Sequence, residues 1–145
     1  MSENVSIKNV TTSALAYLGD SVVEICVRRF LVKEGLSSSR HLNAEALNFV
    51  RAPEQAEALK RILSVLTEEE ESVFKRGRNV GHTNTPKNCT VTQYRTATGF
   101  EVLFGYLYLE GREERIEELF TLAYGDKIEA LREAQTKKEE ENKNG

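Results

Sequence analysis

A chain of 145 residues, 39% hydrophobic and 30% charged, is one domain's worth of sequence with enough apolar content for a core that needs no disulfide or metal staple. The formal charge of −3 is ordinary, and no apolar run approaches the roughly 20 residues of a membrane helix. Residues 1–10 lack the basic-then-apolar pattern of a signal peptide, and Cys26 and Cys89 form neither a disulfide framework nor a metal spacing. Membrane, secreted and collagen-like classes are excluded, and reduced thiols in the cytoplasm are expected.

Residues 1–10 read as a polar lead. From Thr11 to about Glu34, Leu15, Leu18, Val22 and Ile25 recur at helical spacing, with Thr or Ser to cap the start and Gly35 to end it. A loop, LSSSR, precedes a helical stretch near His41–Arg51. Pro53 suits a first helical position, and Ala56, Leu59, Ile62, Leu63 and Leu66 line one face behind it. Thr67 stands three residues before Glu70, the pattern of a capping box, for a helix to about Arg76. GRNVGHTNTPKNCT, residues 77–90, reads as a long loop. A strong helix follows from about Thr92 to Leu109, with Phe100, Leu103, Phe104 and Leu107 on one face. Gly111 punctuates it, and Glu113–Tyr124 is a further amphipathic helix before Gly125. Residues 126–145 read as a helix end and a charged, disordered tail. The expected class is all-α, with six or seven helices and the main domain over residues 11–125.

Charge is unevenly spread. Between Ser72 and Phe100 there is no Asp or Glu, but there are five basic residues: Lys75, Arg76, Arg78, Lys87 and Arg95. A basic stretch on an acidic body repels polyanions from most of the surface and accepts them at one place, and phosphate backbones suit it. Solvated residues paired with neighbouring glutamates would look the same in sequence. Asn and Thr side chains and backbone amides in the loop favour phosphate and sugar contacts. His82, alone in that loop, could join these contacts, but reads more readily as an exposed polar residue. Sparse aromatics argue against base stacking and for recognition of a duplex by shape.

Asp20 and Glu101 each interrupt a strongly apolar helix. A carboxylate there must be paired, hydrogen-bonded, on a metal, or at a solvent-facing edge. Gly19 adjoins Asp20, and Gly105 lies one turn after Glu101. A mid-helix glycine costs about 1 kcal/mol relative to alanine, and close helix–helix approach is one reason to keep it. Such an approach would let carboxylates from two helices share one hard cation, and magnesium fits an all-oxygen site completed by water and substrate phosphate. Glu24 could join them, or pair with Arg28 four residues on.

At these two segments the chain resembles the ribonuclease III family, in particular its small bacterial branch, Mini-ribonuclease III. Tyr17-Leu18-Gly19-Asp20-Ser21-Val22-Val23-Glu24 is similar to the family's signature helix, and residues Thr98–Leu109, TGFEVLFGYLYL, to its second catalytic helix. Lys75-Arg76-Gly77-Arg78-Asn79, Pro86-Lys87-Asn88 and Tyr94-Arg95 resemble elements of the Mini branch. The match runs from about Ala14 to Gly111.

The resemblance implies an all-helical endonuclease domain without a separate double-stranded RNA-binding domain. It implies a homodimer that cuts double-stranded RNA with magnesium, leaving 5′-phosphate and 3′-hydroxyl ends, in maturation of large-subunit (23S) ribosomal RNA precursor. No small-molecule cofactor and no membrane partner are implied. Asp20 and Glu101 would be the catalytic, metal-holding pair, and Lys75, Arg76, Arg78, Lys87 and Arg95 the contacts to RNA. Further acidic positions of the larger enzymes correspond here to Ser13, Ala16 and Thr98. Two rival readings stand beside this one: a non-catalytic RNA-binding module, which these departures motivate, and a helical protein–protein adaptor, whose apolar helices would build an interface.

Overall fold

The most apolar segment of the chain sets the architecture. Val91–Leu109 is a helix, α5, whose residues from Ala97 to Leu107 are all buried except the half-buried Glu101. A helix apolar on every side must be covered on every side. It is wrapped by α1 (Thr12–Lys33), α3 (Ala52–Ile62), α4 (Glu68–Arg78) and α6 (Glu113–Ala123). α2 (Ser39–Val50) packs on α1 and α3 through Ala46 and Phe49, and α7 (Gly125–Asn144) docks through Ile128 and Leu131. Single 3₁₀ turns occupy Ile7–Asn9 and Leu63–Val65. This computed structural model describes residues 7–80 and 85–144, and among them there is no strand. The chain is all-α, as expected.

The ends of the helices follow local chemistry. Thr67 accepts a hydrogen bond from the Glu70 backbone N–H at 3.1 Å, and Glu70 accepts from the Thr67 backbone N–H at 2.9 Å, completing the expected capping box. Thr90 and Gln93 form a second one. That box starts α5 at Val91 rather than Thr92, and α4 runs on to Arg78, so the connecting segment is shorter than expected. Pro53 sits in the first turn of α3. α1 ends where Gly35, at φ 96°, turns the backbone into the left-handed region, with Leu36 N–H donating to Leu31 C=O and Gly35 N–H to Val32 C=O.

The C-terminal segment differs from the expected tail. α7 stays helical to Asn144, although every side chain beyond Gln135 is exposed. The physical reason is local: AQTKKEEENK has no Gly or Pro and consists mostly of good helix formers. Its register also sets Glu133 four residues before Lys137 and Glu139 four before Lys143.

The core is aromatic at its centre. Tyr124 is fully buried, its hydroxyl donating to the Phe49 carbonyl at 2.8 Å, and its ring lies 5.1, 5.2 and 6.0 Å from those of Phe49, Phe120 and Phe100. Glu70 is also fully buried, held by the Arg115 guanidinium through Nε at 2.9 Å and Nη2 at 2.7 Å. These contacts tie α4 to α6 and fix the walls around α5.

Candidate active site

Two glycines let the backbones of α1 and α5 touch. A Cβ built on Gly19 would lie 1.6 Å from the Glu101 carbonyl oxygen, and one on Gly105 would lie 2.2 Å from the Leu15 carbonyl oxygen. No side chain fits at either point, so the expected close approach is real and falls directly beside both acids. Asp20 follows Gly19, and Glu101 is the residue whose carbonyl Gly19 meets. Asp20 keeps a solvent-facing place and Glu101 is half-buried, and the two open into one pocket of about 290 Å³.

Helical spacing builds that pocket. α1 contributes Thr12, Ser13, Ala16, Tyr17 and Asp20, and α5 contributes Tyr94, Thr98 and Glu101 at i, i+4 and i+7, with Val80 closing the side beyond α4. Ser13, Ala16 and Thr98 all line it. Thr98 turns its hydroxyl back to the Tyr94 carbonyl at 3.0 Å. Among the described residues no group of three or more His, Cys, Asp or Glu side chains is placed to hold a metal ion, and this pocket has two carboxyls.

The two acids are not equivalent. Asp20 is exposed at the mouth, while Glu101 sits deeper. Burial pushes the Glu101 carboxyl up to about 8, the Asp20 charge and a hydrogen bond to Asp20 add to the rise, and a hydrogen bond from Gln55 opposes it. Two carboxyls brought into hydrogen-bond contact from separate helices are a donor set suited to a hard divalent cation. Glu24 takes no part: it pairs with Arg28 at 3.1 Å.

The five basic residues lie in different settings. Arg76 reaches the pocket rim, where its Nε donates to Thr12 Oγ1 and its Nη2 to the Val10 carbonyl, both at 2.7 Å. Arg78 stacks over the Phe74 ring, 5.6 Å from its centroid, and Lys75 pairs with Glu71 at 3.1 Å. Lys87 is exposed on the turn before α5, and Arg95 is exposed in the first turns of α5. His82 lies outside the described residues. The residue that sequence reading missed is Gln55, whose signal was a polar side chain on the apolar stripe of α3, four and seven residues before Leu59 and Ile62.

Comparison with known proteins gives this pocket a context. Residues 13–112 match the family described as the ribonuclease III domain. A protein named Mini-ribonuclease 3 from Enterococcus faecalis is 46% identical over 114 residues, covering 77% of this chain and 86% of its own length. Another from Desulfitobacterium hafniense is 44% identical over 133 residues, covering 88% and 83%. The X-ray crystal structure of a Fusobacterium nucleatum protein superposes with a TM-score of 0.77 at 29% identity, over 86% of this chain and 96% of that one.

Proposed function

The chain belongs to the ribonuclease III family and is an endoribonuclease of double-stranded RNA, and from that premise we propose that its catalytic centre is the pocket where Asp20 and Glu101 meet, holding magnesium. The two rivals, a non-catalytic module and an adaptor, give way to an enzyme. The observation that carries the reading is a pair of carboxyls, from two helices locked by glycine contacts, in hydrogen-bond contact with each other.

Magnesium bound there would supply positive charge to offset that on the phosphate and would lower the pKa of a water. The protein's own groups do the rest. Asp20, at the mouth, and Glu101, behind it, would hold the ion. Water attacks phosphorus in line with the departing 3′ oxygen: a new P–O bond forms as the P–O3′ bond breaks, the water gives up a proton to solvent and the 3′ oxygen takes one from it, so the products carry a 5′-phosphate and a 3′-hydroxyl. Arg76, fixed at the rim by Thr12 and the Val10 carbonyl, would lend its charge to phosphates beside the pocket. Arg78, Lys75, Lys87 and Arg95 extend the basic surface along the duplex, whose A-form minor groove is read by shape.

The working form in this proposal is a homodimer in the cytoplasm, acting on large-subunit (23S) ribosomal RNA precursor. Two-fold symmetry matches an antiparallel duplex, so that each protomer cuts one strand. The outer side of α1 supports it: Tyr17 (84% exposed), Ile25 (60%) and Val32 (61%) are large apolar side chains left uncovered there. No helix among the described residues is long and apolar enough to cross a membrane.

The test is a long labelled RNA duplex incubated with and without magnesium. Scission with the stated end groups is expected only with the ion, and Asp20→Asn should abolish it while duplex binding persists. Cleavage by that variant at saturating magnesium would remove Asp20 from the centre.

A further inference from the structure

Gln55 is one of three polar or charged side chains buried among the described residues, with 3% of its surface exposed. The other two have local explanations. Glu70 caps α4 and binds Arg115, and Thr98 bonds to the carbonyl one turn back. Gln55 has no such local role. It lies on the face of α3 that packs against α5, where an apolar residue would match Ala56, Leu59 and Ile62. A buried amide is kept only where its hydrogen bonds are made, and this one bonds the Glu101 carboxyl.

Resting on the reading of Glu101 as a metal-holding residue, we infer that Gln55 is a positioning residue: its amide, buried between α3 and α5, donates to the Glu101 carboxyl and holds it turned toward Asp20. The carboxyl is then gripped from two helices, by Asp20 on α1 and Gln55 on α3. A ligand that would otherwise sample several rotamers is set before the ion arrives, as outer-shell partners do in metal sites generally. The other groups nearby are already committed. The Tyr124 hydroxyl donates to the Phe49 carbonyl, Glu54 pairs with Lys127, and Arg61 binds Asp126 and the Ala123 carbonyl.

The experiment uses Gln55→Met, which keeps the volume and removes the donor, with manganese binding to the RNA-free protein read by electron paramagnetic resonance. Affinity should fall on the order of 10-fold. In duplex cleavage kcat should fall with KM unchanged. Repeated in a Glu101→Gln background, the substitution should change nothing further, since its effect passes through Glu101. Gln55→Asn, too short to reach Glu101, should weaken binding in the same direction and guards against loss of fold. A folded Gln55→Met protein that binds manganese like the parent, or an undiminished effect in the Glu101→Gln background, overturns the inference. So does failure of both variants to fold, which would make Gln55 a packing residue. Normal manganese binding and cleavage by Glu101→Gln alone would instead overturn the assignment of Glu101 on which it rests.

Discussion

Glu70 and Glu101 are both carboxyl groups drawn in from solvent, with opposite results. The Arg115 guanidinium, bonded to Glu70, lowers its pKa below the ordinary value. Glu101 has Asp20 where Glu70 has Arg115, and rises to about 8. A group whose folded value lies above its unfolded one contributes stability fully below the unfolded value and loses it as pH rises through the folded value. Metal-free protein should therefore lose thermal stability as pH is raised from about 5 to about 9, as read by calorimetry. Glu101→Gln should flatten that slope, and saturating magnesium should oppose it by binding the ionised pair. At Glu70 the prediction concerns the pair itself. Arg115→Ala leaves a buried charge without its partner and should cost about 3–5 kcal/mol, lowering Tm by about 10 °C in thermal melts.

At the scale of elements, the crossing of α1 and α5 is the contact on which the pocket depends. An alanine methyl at position 19 would meet backbone, not a flexible side chain, so the helices must part. Gly19→Ala should destabilise by about 3 kcal/mol or more in chemical denaturation, above the usual range for overpacking, and should abolish magnesium-dependent cleavage as Asp20 and Glu101 separate. Gly125→Ala is the matched control. A Cβ there meets nothing within 4 Å, and the change should stay within about 0.5 kcal/mol.

For the whole molecule, the question is where polyanions are accepted. Lys87 and Arg95 are exposed, and neither helps to build the pocket walls, whereas Arg76 also ties the start of α1 to α4. Neutralising Lys87 and Arg95 together should shallow the salt dependence of duplex binding by about two units of slope and leave Tm unchanged. The same test on Arg76 should also lower Tm, because Thr12 and the Val10 carbonyl lose their donor. A double variant of Lys87 and Arg95 with the parental slope would place RNA elsewhere on the surface.

Much of this was legible in sequence because it is local. The stripes of α1 and α3, the Thr67–Glu70 box, Pro53 and Gly35 each act within a turn or two of chain, where residue type dictates conformation. The pairing of Asp20 with Glu101 was legible only by way of the adjoining glycines and the family resemblance. What sequence did not yield is non-local: Gln55 reads as an ordinary polar residue until α3 is laid on α5, and the Glu70–Arg115 pair joins helices whose approach no local rule specifies. Residues 136–144 failed as an expectation for the converse reason, since lack of apolar groups argues against burial but not against helix. The chain's own order of residue types thus determined which segments are helical and which side chains are apolar, because those follow from periods of three and four. Tertiary structure alone decided which carboxyl gains a guanidinium and which gains another carboxyl, because charge compensation depends on distance through space rather than along the chain.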